Sequence, residues 1–420
     1  MHNIKDLNID KELLPLFDFS LNSFTRAQII ELLNSPLESI SAIRQRQQIY
    51  QGFIANMKVL QDYSYPVLYL KEVHFFLENS AIEDLSEKKI SYRLFTAKSD
   101  KTRYQNRFTQ VIVLFHRLYT HYFSRCSMKP FPEHYKPVIK RIVQFLQSFE
   151  TAKYEHIIRE KVLKDQHIIE LTKKVVTLKT DGLIRQFWED LFLFEAYLSI
   201  SQAIVKYQFT FPEFTEDQIK ITEFYHPLLE NPIKNSLESA GNVIVLNGPN
   251  MSGKSTLLKA LGLCVYLGHL GIAIPASGAE IPFFGYFSIA INKRDDVLKG
   301  YSHFMTEVVN LKSVAENASR GIKCFAVFDE LFSGTNVEDA FEICQTTISG
   351  LSKFEKSFFL ISTHIQQLKD VANEQIENYY IDCELIDKQP VFTYRLEKGW
   401  SDIKVGRILF DKEGLNDLLK

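Results

Sequence analysis

One glycine-rich stretch contains residues whose types and spacing indicate phosphate chemistry. It has the spacing G-x-x-x-x-G-K-[S/T] and follows an apolar run, Val243–Asn247, which predicts a strand, a loop and then a helix. In such a loop, backbone N–H groups point at phosphate oxygens and the helix start adds a positive dipole. The stretch therefore predicts ATP or GTP binding. Its residues are Gly248, Pro249, Asn250, Met251, Ser252, Gly253, Lys254, Ser255 and Thr256.

Three side chains of this loop have predicted roles. We expect Lys254 to reach the β and γ phosphates and to act in catalysis, and Ser255 to bind Mg²⁺ through its hydroxyl. Thr256 is expected near the α phosphate. A chance match on a glycine-rich turn is the alternative, and the preceding strand and following helix argue against it.

Two carboxylates, Asp329 and Glu330, end a second apolar run, Cys324–Phe328. At the carboxyl end of a parallel strand, such a pair would face the phosphate site. We predict that Asp329 holds Mg²⁺ through the water shell of the ion and that Glu330 orients and deprotonates an attacking water. This division of roles indicates hydrolysis rather than transfer to a bound acceptor. Alone, the pair would be typical of a solvated strand end, so its interpretation depends on the phosphate loop.

A histidine, His364, follows a third apolar run at 359–361. In its neutral form it could bind the γ phosphate or the catalytic water. A single histidine after a strand is usually an ordinary loop residue. The catalytic interpretation therefore depends on the two motifs above.

The elements that would position these residues follow from the sequence pattern. Between 23 and 207 glycine is almost missing, and the apolar spacing predicts an all-helical region that includes one long amphipathic helix over 157–176. Aromatics and prolines at 209–239 indicate a junction. Beyond it, strands alternate with helices, which predicts a mostly parallel α/β sheet. We predict an α plus α/β fold with a helical domain at 1–208 and an α/β domain at 209–420.

Composition excludes several classes of protein. The 420 residues are 45% hydrophobic and 24% charged, as in ordinary folded proteins, and the net charge of −2 gives no nucleic-acid footprint. The five scattered cysteines favour reduced thiols over disulfides or zinc. The amino terminus lacks a secretory signal, and the apolar stretch 257–275 is interrupted by Lys259 and His269. We therefore expect a cytoplasmic protein that does not act in a membrane.

The three motifs and their flanking letters resemble the MutS family of DNA mismatch-repair ATPases, which is related to the ABC-type ATPases. The resemblance includes residues 248–256, with Ser252 where the family usually has glycine, and the stretch 331–335 after the acidic pair. It is strong over about 220–410 and weaker before that. It implies helical core and lever elements followed by a P-loop, ABC-like ATPase domain that uses ATP and Mg²⁺.

The resemblance also implies further contacts. Residues 300–307 look like the family's signature segment, so Ser302 is the candidate to reach the γ phosphate of the neighbouring subunit in a homodimer with shared sites. Tyr301 and His303 replace the family's usual arginine and threonine. Ile233 and Tyr394 fall where the family packs side chains on adenine, although ordinary core packing is an equal alternative.

Parts of the family pattern are not expected here. The sequence starts where the family's core domain starts, so we expect no mismatch-recognition or connector domain, a reduced or absent DNA clamp, and dimerisation through the ATPase faces. Basic residues at 136–141 and 161–174 are partly interleaved with acidic ones, so DNA remains possible without a visible site. The leading hypothesis is an ATP-hydrolysing homodimer in mismatch repair or a related DNA transaction. The alternatives are a non-DNA ATPase switch or scaffold for a protein or ribonucleoprotein assembly, and a nucleotide-binding module that hardly hydrolyses.

Overall fold

The computed structural model describes residues 2–216, 218–249, 251–291, 303–386, 389–403, 405–412 and 418–419. These residues form two compact units. Unit 1 contains the described residues of Met1–Leu16, Leu33–Arg44 and Tyr207–Lys420, and unit 2 contains Phe17–Leu32 and Gln45–Lys206. Residues 1–16 and 33–44 thus group with the carboxyl-terminal part of the chain. The functional domain limits 1–208 and 209–420 stay a prediction.

Helices dominate the chain before Tyr207, as the sparse glycine and apolar spacing predict. Short 3-10 or π turns occur at Lys5–Leu7, Ile9–Leu13, Ile82–Leu85 and Leu118–Phe123. The α-helices are α1 Leu14–Phe17, α2 Ser23–Asn34, α3 Ile40–Ala55, α4 Met57–Leu60, α5 Val67–Asn79, α6 Glu87–Thr96, α7 Lys98–Arg117, α8 Lys136–Ser148, α9 Thr151–Arg159, α10 Asp165–Thr180 and α11 Leu183–Tyr207.

The prediction of one helix over 157–176 is wrong. Helix α9 ends at Arg159 and α10 begins at Asp165, with Lys161 between them in the left-handed region at φ 58°. The break lets each helix bury its own side chains, Tyr154 on α9 and Ile168, Leu171 and Val175 on α10. The apolar spacing continues across the break, so it does not reveal that one helix ends at Arg159 and another begins at Asp165.

Unit 1 carries the α/β region that the apolar runs predict. Within its described residues, one sheet has the strand order β10-β9-β4-β8-β7-β6 and a smaller sheet has the order β1-β5-β2-β3. The strands are β1 Glu213–Thr215, β2 Ile219–Phe224, β3 Asn235–Ser239, β4 Val243–Asn247, β5 Gly278–Pro282, β6 Tyr286–Ala290, β7 Cys324–Phe328, β8 Phe358–Ser362, β9 Ile376–Ile386 and β10 Gln389–Lys398. The helices are α12 Lys254–His269, α13 His303–Ser319, α14 Val337–Leu351 and α15 Val405–Lys412, with a 3-10 turn at Gln366–Val371.

The larger sheet is mostly parallel. Strand β4 pairs in parallel with β8 and β9, and β7 pairs in parallel with β6 and β8, while β10 runs antiparallel to β9. Every residue of β4, β7 and β8 is buried. Continuous apolar runs are typical of parallel strands covered on both faces, which explains why these three strands are readable in the sequence.

The amino-terminal residues extend the edge of the larger sheet. Asn3 N donates to Phe287 O at 2.9 Å, and Ile289 N donates to Asn3 O at 2.7 Å. Residues 2–4 therefore lie along β6, although nothing in their composition predicts a strand.

Helix α12 is almost wholly buried and begins at the phosphate-loop motif. Among the described residues, no helix combines the length and the apolarity that a membrane crossing requires.

His269, the last residue of α12, makes two hydrogen bonds through its ring. Its Nε2 accepts from Phe284 N at 2.9 Å, and its Nδ1 lies 2.8 Å from Val265 O. The ring is therefore neutral, with Nδ1–H donating to that carbonyl.

Acid should destabilise unit 1 through His269. Burial lowers the pKa of His269 from 6.5 to about 4, so between these values the unfolded chain binds the proton that the folded one rejects. Stability is thus lost as the pH falls from 7 towards 4, by up to about 3 kcal/mol. Urea unfolding at pH 7.5 and 4.5 measures the loss, and His269→Gln should show a smaller pH dependence. An equal pH dependence in both proteins would refute this role.

Candidate functional site

The three sequence motifs meet at one edge of the larger sheet. Leu246 of β4 lies opposite Ser362 of β8, and Phe328 of β7 lies opposite Ile361 of the same strand. Because these strands are parallel neighbours, the residues after each strand emerge side by side at their carboxyl ends. Residues 248–256, 329–330 and 363–364 are therefore neighbours.

The loop after β4 has the backbone conformation that its glycines permit. Gly248 has φ +144° and Gly253 has φ +93°, both values that residues with a side chain rarely adopt. A Cβ on Gly248 would lie 3.3 Å from Ile381 O. Pro249 and the exposed Met251, at φ 70°, complete the described part of the turn, and the predicted contact Asn250 lies outside the described residues.

Two polar side chains of this loop are buried. Lys254, the first residue of α12, directs Nζ back at the loop and donates to Gly248 O at 2.8 Å and Pro249 O at 3.1 Å. Ser252 is 1% exposed, and its Oγ has no hydrogen-bond partner among the described residues. The loop thus gathers a cation, a free hydroxyl and the start of a helix.

Asp329 lies between two serine hydroxyls. Its Oδ2 accepts from Ser255 Oγ at 2.5 Å and its Oδ1 accepts from Ser362 Oγ at 2.5 Å. Ser362 Oγ also accepts from Glu330 N at 2.7 Å, so one hydroxyl fixes both acidic residues. The sequence analysis predicted no role for Ser362, although a serine at the end of an otherwise apolar strand is a signal that could have identified it.

Glu330 and His364 form the second contact across the strand ends. Oε1 of Glu330 is hydrogen-bonded to Nε2 of His364. Glu330 has φ 52° and Phe332 has φ 60°, and positive φ at bulky residues marks a strained backbone, which is often found at functional sites. Phe332 N donates to Oε2 of Glu307 at 2.9 Å and so ties this turn to α13. Both members of the pair line a cavity of about 400 Å³, here called cavity B.

A second cavity, cavity A, opens beside the loop after β4 and has a volume of about 360 Å³. Its wall includes Ser252, Gly253 and Thr256 from the loop and helix start, together with Ile233 and Tyr394. A Cβ built on Gly253 would lie 3.1 Å from the Tyr394 ring, so this ring lies against the loop. The structure thus brings together Ile233 and Tyr394, which are 161 positions apart (394 − 233).

His226 forms another part of the wall of cavity A and was not identified from the sequence. Its Nε2 lies 3.8 Å from Oε2 of Glu12, whose Oε1 accepts from Lys259 Nζ at 2.6 Å. Burial and then the charge of Lys259 lower the pKa of His226, against the opposing effect of Glu12. The imidazole is therefore neutral at pH 7. Glu12 connects the amino-terminal residues to this wall.

The predicted trans contact, Ser302, lies outside the described residues, as does its neighbour Tyr301. Within the described residues, no group of three or more His, Cys, Asp and Glu side chains could hold a metal ion. The Ser255–Asp329 pair is therefore the metal candidate that remains from the predicted set.

Comparison with known proteins assigns the family. The family model for MutS domain V matches residues 244–410, which contain the loop after β4, both carboxylates, His364 and Tyr394. The DNA mismatch repair protein MutS of Bacillus subtilis is 29% identical over 209 residues, which are 47% of this chain and 24% of that protein. Residues 244–410 therefore belong to the MutS family.

Other relatives show how the match extends. The human MutS protein homolog 4 is 30% identical over 227 residues, 50% of this chain and 24% of that protein. The MutS protein of Streptococcus gordonii is 27% identical over 317 residues, 72% of this chain and 36% of that protein. The MutS-like match therefore reaches into the helical part of the chain, and it spans about a quarter to a third of the length of these relatives.

Proposed function

We propose that this MutS-family chain binds and hydrolyses ATP with Mg²⁺, and that it does so in DNA mismatch repair or a related DNA transaction. One observation carries the proposal. The ends of three neighbouring parallel strands bring Lys254, the Ser255–Asp329 pair and the Glu330–His364 pair together, and the loop that precedes Lys254 lines cavity A. The names of the relatives support the DNA part.

The loop after β4 fits a chain of phosphates. The positive φ values of Gly248 and Gly253 curl the backbone, and α12 presents its first N–H groups at the same place. Ser252 Oγ is buried with no partner within the described residues, so a phosphate oxygen would satisfy it. The ammonium of Lys254 would exchange the loop carbonyls for phosphate oxygens, which form stronger, charge-assisted hydrogen bonds.

Mg²⁺ fits the adjacent oxygen pair. The ion prefers hard oxygen ligands and usually takes one or two from the protein and the rest from phosphates and water. The Ser255 hydroxyl and the Asp329 carboxylate, 2.5 Å apart, supply such oxygens. When bound, the ion neutralises charge on the transferring phosphate. Ser362 orients Asp329 for this role through its other oxygen.

Glu330 is the proposed general base. Its carboxylate would accept the proton of the attacking water. Ser362 fixes the turn that carries Glu330, because its hydroxyl donates to the Asp329 carboxylate and accepts from Glu330 N. The hydrogen bond to His364 directs the carboxylate, and His364 would face the γ phosphate or the water. Lys254 would stabilise the negative charge of the transition state.

Cavity A is the proposed site of the base. Most ligand sites are concave and largely apolar with a few polar groups, and this cavity has apolar walls at Ile233 and Tyr394. The family resemblance favours adenine. We also propose, on the same resemblance, a homodimer in which Ser302 of the second copy completes each site. The scattered cysteines, which favour reduced thiols, support the proposal of a cytoplasmic location.

Steady-state ATP hydrolysis with different DNAs tests the proposal. Purified protein is assayed alone and with homoduplex, mismatched or branched DNA at one stated salt concentration, because electrostatic DNA binding weakens steeply as salt rises. We expect Mg²⁺-dependent hydrolysis that mismatched or branched DNA stimulates above homoduplex. Hydrolysis that no DNA changes would contradict the DNA part and favour a switch for a protein or ribonucleoprotein assembly.

A further inference from the structure

Asn235, the first residue of β3, lines cavity A and contacts two other residues of its wall. Its Nδ2 donates to Tyr394 O at 3.0 Å and to Ile233 O at 3.4 Å. Its Oδ1 accepts from Leu396 N at 2.8 Å. A single side-chain amide thus joins two residues of the wall of this cavity.

Tyr394 sits in an irregular part of β10. Residues Phe392 and Leu396 pair with Cys383 and Ile381 of β9, so four steps along β10 oppose only two steps along β9. Two extra residues therefore bulge from the sheet here. Tyr394 lies in this bulge at φ 59°, a rare conformation for a bulky side chain.

The bulge determines where the Tyr394 ring lies. The ring is 3.1 Å from the position of a Cβ on Gly253, so it lies against the end of the loop after β4, and Tyr394 is 47% exposed. Thr393 Oγ1 bonds to Asp382 O at 3.1 Å and holds the bulge to β9. Asn235 holds the same bulge from β3, in the other sheet, and reaches Ile233 as well.

An unfavourable backbone conformation persists only when its surroundings hold it. The hydrogen bonds from Asn235 to Tyr394 O and from Leu396 N to Asn235 bracket the bulged residue on both sides. Removal of the amide donor would release the bulge and separate Tyr394 from Ile233. Neither the phosphate-loop backbone nor Lys254 depends on this amide for a hydrogen bond that the structure shows.

We infer that Asn235 is a positioning residue for the base of the nucleotide: it holds Ile233 and Tyr394 as the two sides of one clamp. The inference rests on the proposed function, because it assigns cavity A to the base. Asn235 acts through these two residues and does not itself contact the phosphates. Affinity for the base should therefore depend on Asn235, whereas affinity for the phosphates should not.

The test compares ATP with tripolyphosphate, which has the phosphates and lacks the base. Asn235→Asp keeps an acceptor for Leu396 N but turns a carboxylate oxygen towards two carbonyl oxygens. We expect the Kd and KM for ATP to rise about tenfold, in line with the loss of aromatic stacking on a base. The Kd for tripolyphosphate and kcat at saturating ATP should stay within twofold.

Further variants test whether the loss of ATP affinity comes from the changed position of the base-binding side chains, from the added negative charge or from misfolding. Lys234→Gln changes the net charge by the same −1 at the neighbouring, exposed residue and should keep ATP affinity within twofold. In a Tyr394→Ala background, Asn235→Asp should cost less ATP affinity than in the wild type, because one of the two side chains that Asn235 positions is already absent. Asn235→Ser replaces the aspartate variant if that one does not fold, with the same pair of ligands.

The outcomes distinguish the inference from the proposed function. Unchanged ATP affinity in the Asn235 variant, or equal losses for ATP and tripolyphosphate, would overturn the positioning role and leave ATP binding intact. Full additivity with Tyr394→Ala would also overturn it. Wild-type protein that binds neither ATP nor tripolyphosphate would overturn the proposed function itself.

Discussion

Glu330→Gln is expected to bind ATP like the wild type and to lose about 10²- to 10⁴-fold in turnover, the usual contribution of a general base. The amide keeps the size of the carboxylate and can still bond to His364, so the turn at 330–332 should be preserved. It cannot take a proton from water. Single-turnover release of phosphate measures the step directly, without a contribution from product release.

The matched control is Glu355→Gln, in the exposed turn before β8. It makes the same chemical change away from the strand ends and should leave hydrolysis unchanged. An equal single-turnover rate for Glu330→Gln and wild type would show that another group activates the water. In that case His364 becomes the first residue to test.

Lys254→Ala is expected to weaken ATP binding by about 100-fold or more. Each charge-assisted hydrogen bond contributes about 1.5 to 3 kcal/mol, and the ammonium is positioned to make more than one to the phosphates. Equilibrium binding of ATP and of tripolyphosphate should fall together, because the lost contacts are to phosphate. This pattern is the opposite of that expected for Asn235→Asp.

The alanine variant also removes the bonds to Gly248 O and Pro249 O, so its thermal midpoint must be measured beside its affinity. Lys353→Ala, at an exposed residue after α14, is the control and should bind ATP normally. Nanomolar ATP affinity in a folded Lys254→Ala protein would refute the phosphate-loop interpretation.

The strands that carry the site were predictable because they are buried on both faces. Strands β4, β7 and β8 contain apolar runs of four or five residues, and each run is followed by a polar or acidic residue, namely Asn247, Asp329 and Ser362. A parallel arrangement then requires those residues to share one edge. The apolar runs do not predict the order of the strands in the sheet. The structure shows that β8 lies between β4 and β7.

Contacts between distant segments were not predictable. Asn3 pairs with β6, and Glu12 forms an ion pair with Lys259. Both contacts join residues far apart in the sequence, so no local sequence pattern predicts them. The bulge at Tyr394 is similar, since its letters fit a regular strand. The prediction that Ile233 and Tyr394 share one site followed only from the family resemblance, and the contacts of Asn235 with both of them needed coordinates.

The most direct test of the account is a single-turnover assay with γ-labelled ATP and excess purified protein, with Mg²⁺ and with a chelator. We predict that phosphate release requires Mg²⁺, that its rate falls about 10²- to 10⁴-fold in Glu330→Gln, and that it is unchanged in Glu355→Gln. Tight ATP binding without phosphate release in the wild type would contradict it and make the chain a nucleotide-binding module rather than an ATPase.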